Sequence, residues 1–370
     1  MYGMKITGVG TYVPTRRLSN EELALEMSAR REAIASKLGI SADDERLEQL
    51  RTSAEWIETR TGIRERPIAL DEATSDLATG AAEAALEESD LRKDRLGFVI
   101  VGTVSPDHLY SPFTAALVAE KLGIRVRDEN GRIVHHLPGH DTGAACCSFM
   151  SALESGYARI RGGLAKAGLV IGADKMSTTV NRDDRSFAPL MGDAGGAFVV
   201  ERTSRAEDWF GRRNFLSGMD GAFADLISAP AGGSRWPLTE GDLVNPLVQP
   251  HKLQMRGRRV FKKVAEVLPG VIQDALRKAR VKLEDVGCVI IHQMNLRIIQ
   301  EVDERLREMG FRGEIPVTID RVGNTTSASI PYGYDFARQT GAIQPGMLVL
   351  FVGVGGGLTW HTALFRQGSF

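Results

Sequence analysis

With only three cysteines, two of them adjacent, this 370-residue chain has no disulfide framework. No apolar run reaches the length of a membrane span, and the start MYGMKITGVG is not a secretion signal. A net charge of −1 leaves no basic excess to hold a phosphate backbone, which argues against general nucleic-acid binding. These absences predict a cytoplasmic protein that binds neither nucleic acid nor membrane. The length suffices for a large core and about two domains. Glycine is abundant, at 40 residues, and clusters at strand ends, as α/β enzymes need for tight turns.

The stretch DTGAACCSF (141–149) organises the rest. Small residues run up to the cysteine pair, then Phe149, Met150, Leu153, Tyr157 and Ile160 recur at helix spacing. A thiol is thereby set between a strand and a helix, where free N–H groups and the helix dipole favour a thiolate. Cys146 shares the stripe of Phe149, Met150 and Leu153 and is expected to face inward as the nucleophile. Cys147 is turned about 100° away by helix geometry.

In chain order, ITGVGTYVP (6–14) reads as a first strand, and SNEEL (19–23) opens a helix with capping residues. Residues 27–52 read as a charged, surface helical excursion with few strong core residues. An alanine-rich helix is expected over 74–89, then a buried strand over 96–104 and a helix near 113–122. Turn signals in 125–140 suggest a hairpin or flap ahead of the cysteines. A helix over 147–162 leads to strands at 167–175 and 194–201.

The second half repeats the first. Residues 85–102 match 275–292 without a gap, with Ala85/Ala275, Leu86/Leu276, Gly97/Gly287, Val99/Val289 and Ile100/Ile290 identical. Further on, KAGLVIGA (166–173) parallels QPGMLVLF (344–351), and that offset places Cys146 on Asn324. Two similar α/β halves, 1–203 and 204–370, are expected to pack about a pseudo-twofold axis, with equivalent turns facing one site. In the second half, His292 ends a buried strand, where α/β proteins place ligands. GNTTSASIP (323–331) is a polar turn opening a helix, and FVGVGGGLTW (351–360) is a run of N–H donors able to approach a developing oxyanion. A nucleophile, a base or donor, a second donor and an oxyanion pocket are thus expected together.

Here the chain resembles the β-ketoacyl-acyl-carrier-protein synthase III family of thiolase-superfamily condensing enzymes. WIETRTGIRER (56–66), AACCSF (144–149), DDRSFAPLMGDAGGA (183–197), HQMNLRII (292–299), GNTTSASIP (323–331) and GGGLTW (355–360) occur in family order. The resemblance implies a thiolase-like fold layered α–β–α–β–α. It implies that Cys146 takes an acyl group from acyl-CoA, with the Cys146 and Gly356 N–H groups holding the oxyanion. His292 and Asn324 then stabilise the enolate formed as malonyl-acyl-carrier protein loses CO2. Acyl-CoA is a substrate, and no permanent cofactor is implied.

The resemblance also assigns substrate contacts. Trp56, Arg60, Thr61 and Arg185 match CoA-binding positions, with Trp56 and Arg185 sandwiching adenine. Arg297 matches a basic position at the tunnel mouth. Arg256, Arg259, Lys262 and Lys263 belong to a basic patch suited to an acidic carrier protein. Met255, Gly257 and Phe261 fit the acyl-tunnel helix. In the loop 105–112, Leu109, Tyr110 or Ser111 is expected to close the tunnel of a homodimer partner. His135, His136 and His140 read as flap residues, not as a metal site.

Absences separate the rivals. A degradative thiolase needs a second cysteine in the C-terminal glycine loop, and none follows Cys288. A non-decarboxylative head-to-head enzyme carries a glutamate in the dimer-crossing loop, and 105–112 has none, although Asp107 is near. An acyltransferase or specialised condensing enzyme of secondary metabolism stays open, as does the identity of the acyl primer.

Overall fold

The computed structural model describes residues 2–204, 210–211, 213–245 and 247–368. Two sheets carry the duplication. The first contains β1 (Gly3–Tyr12), β2 (Val99–Gly102), β3 (Gly139–Thr142), β4 (Ala167–Asp174) and β5 (Ala194–Thr203), in the order β1-β5-β4-β2-β3. The second contains β6 (Phe215–Met219), β7 (Val286–Ile291), β8 (Leu348–Gly355) and β9 (Thr359–Arg366), in the order β7-β8-β9-β6. Pairing senses agree strand for strand. β2/β4 and β7/β8 are parallel, and the remaining equivalent pairs are antiparallel. β3 is reduced in the second half to one parallel bridge between Cys288 and Glu314.

Eight helices matter here: α1 (Asn20–Leu38), α2 (Ala54–Thr61), α3 (Thr74–Ser89), α4 (Thr114–Lys121), α5 (Ser148–Arg161), α6 (Gly257–Ala279), α7 (Leu296–Glu308) and α8 (Ser329–Gln339). The equivalent helices α5 and α8 fill the space between the sheets. Phe149 and Tyr334 meet Phe198 of one sheet and Phe351 of the other in a single buried cluster. Each such side chain contributes roughly 1.5–3 kcal/mol by leaving water. The alanine face of α3 covers the first sheet from outside. Small residues are needed there, because a Cβ on Gly8 or Gly10 would lie 2.0 or 2.1 Å from the Ala85 or Ala81 carbonyl. Apolar positions of α6 and α7, including Leu268, Ile272, Val302 and Leu306, cover the second sheet. The layers run α–β–α–β–α.

One expected segment differs in detail, and the flap is the hairpin expected. The excursion is not poor in core residues: Met27, Ile34, Ala35, Leu47 and Leu50 bury a small core of their own with Leu18, Leu23 and Ile57. Its helix is continuous with the one expected to open at 19–23: it begins at Asn20, where the Ser19 hydroxyl caps the Glu22 N–H at 3.2 Å. Charged residues at the intervening positions had hidden this stripe. The flap forms a hairpin through an antiparallel bridge between Arg127 and Ile133, with Gly131 at φ +75°. His135 bonds the Leu96 carbonyl there, at 2.8 Å.

Candidate active site

One cavity of about 870 Å³ opens between the halves, and the expected chemistry faces it: Cys146, His292, Asn324 and Gly356 all line it. Cys146 comes from the turn between β3 and α5. Ala145, just before it, has φ +51°, a left-handed conformation that costs about 1–2 kcal/mol outside glycine. The cysteine pair is set by this turn and not by a helical stripe, because α5 starts only at Ser148. Cys147 is therefore the core residue, at 0% exposure, with its thiol directed at the Thr359 carbonyl 3.7 Å away. Cys146 is left facing the cavity.

The surroundings of Cys146 work against the expected thiolate. Burial, helped by the Asp174 carboxylate, pushes the Cys146 thiol up to about 12, so it is held protonated. The Cys146 and Gly356 N–H groups pull the other way by hydrogen bonding to the sulfur. Gly355 brings that donor loop close. A Cβ there would lie 2.8 Å from the Cys146 nitrogen, so a larger residue would push the loop off the turn.

His292 follows the last residue of β7 and is 1% exposed. Burial lowers its pKa to about 3, so the imidazole is neutral. Its Nδ1 lies 2.6 Å from the Ser329 hydroxyl, at the first residue of α8. That hydroxyl also accepts the Gln293 N–H at 3.4 Å, and its own proton can be directed at Nδ1 of the neutral ring. In that arrangement Nε2 carries the ring proton, and among the described residues it has no partner. Asn324 is fixed similarly. The Thr326 N–H donates to its Oδ1 at 2.9 Å, and its backbone N–H donates to the Leu190 carbonyl at 2.7 Å. The amide nitrogen is left for a ligand. Both side chains are therefore presented as neutral donors.

Asp174, at the end of β4, underlies this arrangement. Its buried carboxylate accepts from Thr103, the Val104 N–H and Ser105 on its own side, and from Thr326 and the Ser327 N–H of the other half. Sequence reading missed Ser329 and Asp174. Ser329 stood inside the GNTTSASIP motif, and Asp174 stood beside Lys175 at the end of an apolar strand.

The substrate positions divide. Trp56, Arg60, Thr61, Arg185 and Arg297 line the cavity, as do Met255, Gly257 and Phe261. The Thr61 hydroxyl is engaged by its own helix, donating to the Ile57 carbonyl at 2.7 Å. Trp56 and Arg185 leave no slot between them, because the guanidinium lies 5.1 Å from the indole centroid. Tyr110 lies outside this cavity, 87% exposed. Of the basic patch, Arg256 pairs with Asp225 at 2.7 Å and Lys263 with Glu266 at 3.0 Å, while Arg259 and Lys262 stay exposed. Asp107 caps α3 through the Ser75 N–H and hydroxyl, at 2.8 and 2.6 Å, and is thus committed to structure. The flap does not line the cavity.

Comparison with known proteins gives the family. The sequence model of 3-oxoacyl-[acyl-carrier-protein (ACP)] synthase III matches residues 140–221, and that of its C-terminal part matches 276–367. The β-ketoacyl-[acyl-carrier-protein] synthase III of Aliarcobacter butzleri is 37% identical over 334 residues, covering 90% of this chain and 95% of its own. The crystal structure of 3-oxoacyl-[acyl-carrier-protein] synthase III from Aquifex aeolicus superposes with a TM-score of 0.78 at 34% identity, covering 98% of this chain and 100% of that one. The priming β-ketosynthase from the R1128 polyketide biosynthetic pathway gives 0.79 at 28% identity, covering 99% and 97%. The chain belongs to the β-ketoacyl-[acyl-carrier-protein] synthase III family.

Proposed function

We propose that this enzyme starts acyl chains by condensing an acyl-CoA with malonyl-acyl-carrier protein. The observation that carries the reading is the convergence of one thiol, two neutral donors and a glycine N–H loop on one cavity. In the first step Cys146 attacks the acyl-CoA carbonyl. The tetrahedral oxyanion sits on the Cys146 and Gly356 N–H groups, and the thiol proton leaves with CoA as free CoA thiol. In the second step the malonyl thioester carbonyl lies against His292 Nε2 and Asn324 Nδ2. Loss of CO2 leaves an enolate whose charge these donors stabilise most at the transition state. The carbanion attacks the acyl-enzyme, β-ketoacyl-acyl-carrier protein leaves, and the released sulfur regains a proton. Burial favours that protonated form. No permanent cofactor takes part.

Trp56, Arg60, Thr61 and Arg185 receive CoA. Arg297 and the patch of Arg256, Arg259, Lys262 and Lys263 receive the carrier protein, with Arg259 and Lys262 exposed and unpaired among the described residues. Met255, Gly257 and Phe261 bound the acyl tunnel. The enzyme works as a cytoplasmic homodimer of chains divided at 203/204. Leu109 and Tyr110, 77% and 87% exposed, supply an apolar loop for the partner's tunnel. Among the described residues no helix is long and apolar enough to cross a membrane.

The likeness to a polyketide priming ketosynthase favours a second reading, a specialised condensing enzyme or acyltransferase of secondary metabolism. Intact-protein mass after a panel of acyl-CoAs, followed by malonyl-acyl-carrier protein, separates the two. An adduct that disappears with release of CO2 and β-ketoacyl product supports the synthase. An adduct that survives the second substrate supports the acyltransferase, and no adduct on Cys146 with any donor overturns both.

A further inference from the structure

The excursion is latched onto the loop that carries Arg185. Arg30 reaches Asp183, with its second contact at 2.9 Å, and Glu26 pairs with Arg182 at 3.5 Å. Gln249 holds the same Asp183 at 2.7 Å. The Gln49 carbonyl accepts the Arg185 N–H at 2.9 Å, the Arg51 carbonyl accepts from Nη1, and Glu48 accepts from Nη2 at 3.0 Å. These contacts hold the guanidinium over Trp56, 5.1 Å from the ring centroid. An intercalated base needs two stacking gaps of about 3.5 Å each, so the slot is closed to it.

We infer that Glu48 and the Arg51 carbonyl determine how strongly this enzyme reads the nucleotide end of its CoA substrate, by holding Arg185 where adenine would stack. The inference rests on the assignment of Trp56 and Arg185 to CoA. An exposed ion pair alone is weak, and here Glu48 and Arg185 side chains are 53% and 27% exposed. The carbonyl bond and the indole face act on the same guanidinium, so the contacts add. Adenine must displace them, and apparent affinity falls by the fraction of molecules with the slot open. The pantetheine arm, deeper in the cavity, bears no such cost. The enzyme therefore discriminates less between CoA and shorter thiol carriers than an open slot would.

The test is titration calorimetry of the full chain with CoA and with pantetheine. Glu48→Ala, a surface change, is expected to tighten CoA about 1.5- to 5-fold and to leave pantetheine unchanged, the scale of one exposed charge-assisted contact. KM for acyl-CoA in Cys146 acylation should fall in step, with kcat unchanged. Unchanged or weaker CoA binding in Glu48→Ala overturns the inference, since Glu48 would then be idle or would prepare Arg185 for the ligand. Trp56→Ala checks the assignment beneath it. A loss of CoA affinity with pantetheine unaffected supports that assignment, and no loss removes it. Acylation of Cys146 from an acyl-pantetheine, followed by mass, reports the chemistry independently of the slot.

Discussion

The turn that carries Cys146 and the turn that carries Asn324 occupy equivalent places in the two halves, yet they are built differently. In the first, α5 begins two residues after the cysteine. In the second, a 3₁₀ turn, Thr326–Ala328, with Thr326 at φ +47°, intervenes before α8. Each is gripped by the opposite half. Thr359, opening β9, takes the Cys147 thiol at its carbonyl and donates its hydroxyl to the Ala144 carbonyl at 3.3 Å. Asp174, closing β4, takes Thr326 and Ser327. The duplication thus supplied two turns facing one cavity. Divergence made one a cavity-facing thiol lined by N–H donors and the other a rigid, neutral hydrogen-bond donor.

The difference can be broken from either side. The largest effect is expected at the thiol. Cys146→Ala should lower turnover by about 10⁴-fold or more and abolish the acyl adduct by mass, whereas Cys147→Ala should keep the adduct. Adduct formation in Cys146→Ala alone would reverse the assignment. Asp174→Ala strands buried donors from both halves and should destabilise the fold by about 3–5 kcal/mol in urea unfolding. A loss under ~1 kcal/mol would mean the halves do not depend on this carboxylate.

Asn324→Ala and His292→Ala should lower decarboxylation of malonyl-acyl-carrier protein about 10²- to 10³-fold while acylation continues. Loss of acylation ahead of decarboxylation would show that the second turn serves the first step. The smallest effect sharpens the account of His292 as a neutral donor. Its pKa is about 3 when folded, against roughly 6.5 for a free imidazole, so the unfolded chain binds the extra proton between these values. Stability therefore falls as pH drops through that window, by up to about 1.4 kcal/mol per pH unit from this group. His292→Asn should flatten that slope in urea unfolding measured at pH 6.5 and pH 4.5, and an unchanged slope would mean the imidazole is charged in the fold.

Much of this was legible in the residues. Helix α3 runs over Thr74–Ser89, the span its alanine periodicity predicts. The offset that laid Cys146 on Asn324 anticipated their sharing one cavity. What went unread were contacts between distant segments. No local pattern could show that Glu48 reaches Arg185, or that Asp174 supports Asn324 through Thr326.

The choice between Cys146 and Cys147 shows where the division falls. The sequence by itself determined that a thiol stands at a strand-to-helix turn, with a histidine and an asparagine at the matching strand ends, because hydrophobic period and turn composition act over a few residues. Only the tertiary structure decided which thiol faces the cavity, because a left-handed residue at 145 sets the turn before any helix begins. It alone decided that the thiol is protonated and the imidazole neutral, since desolvation depends on everything packed around them.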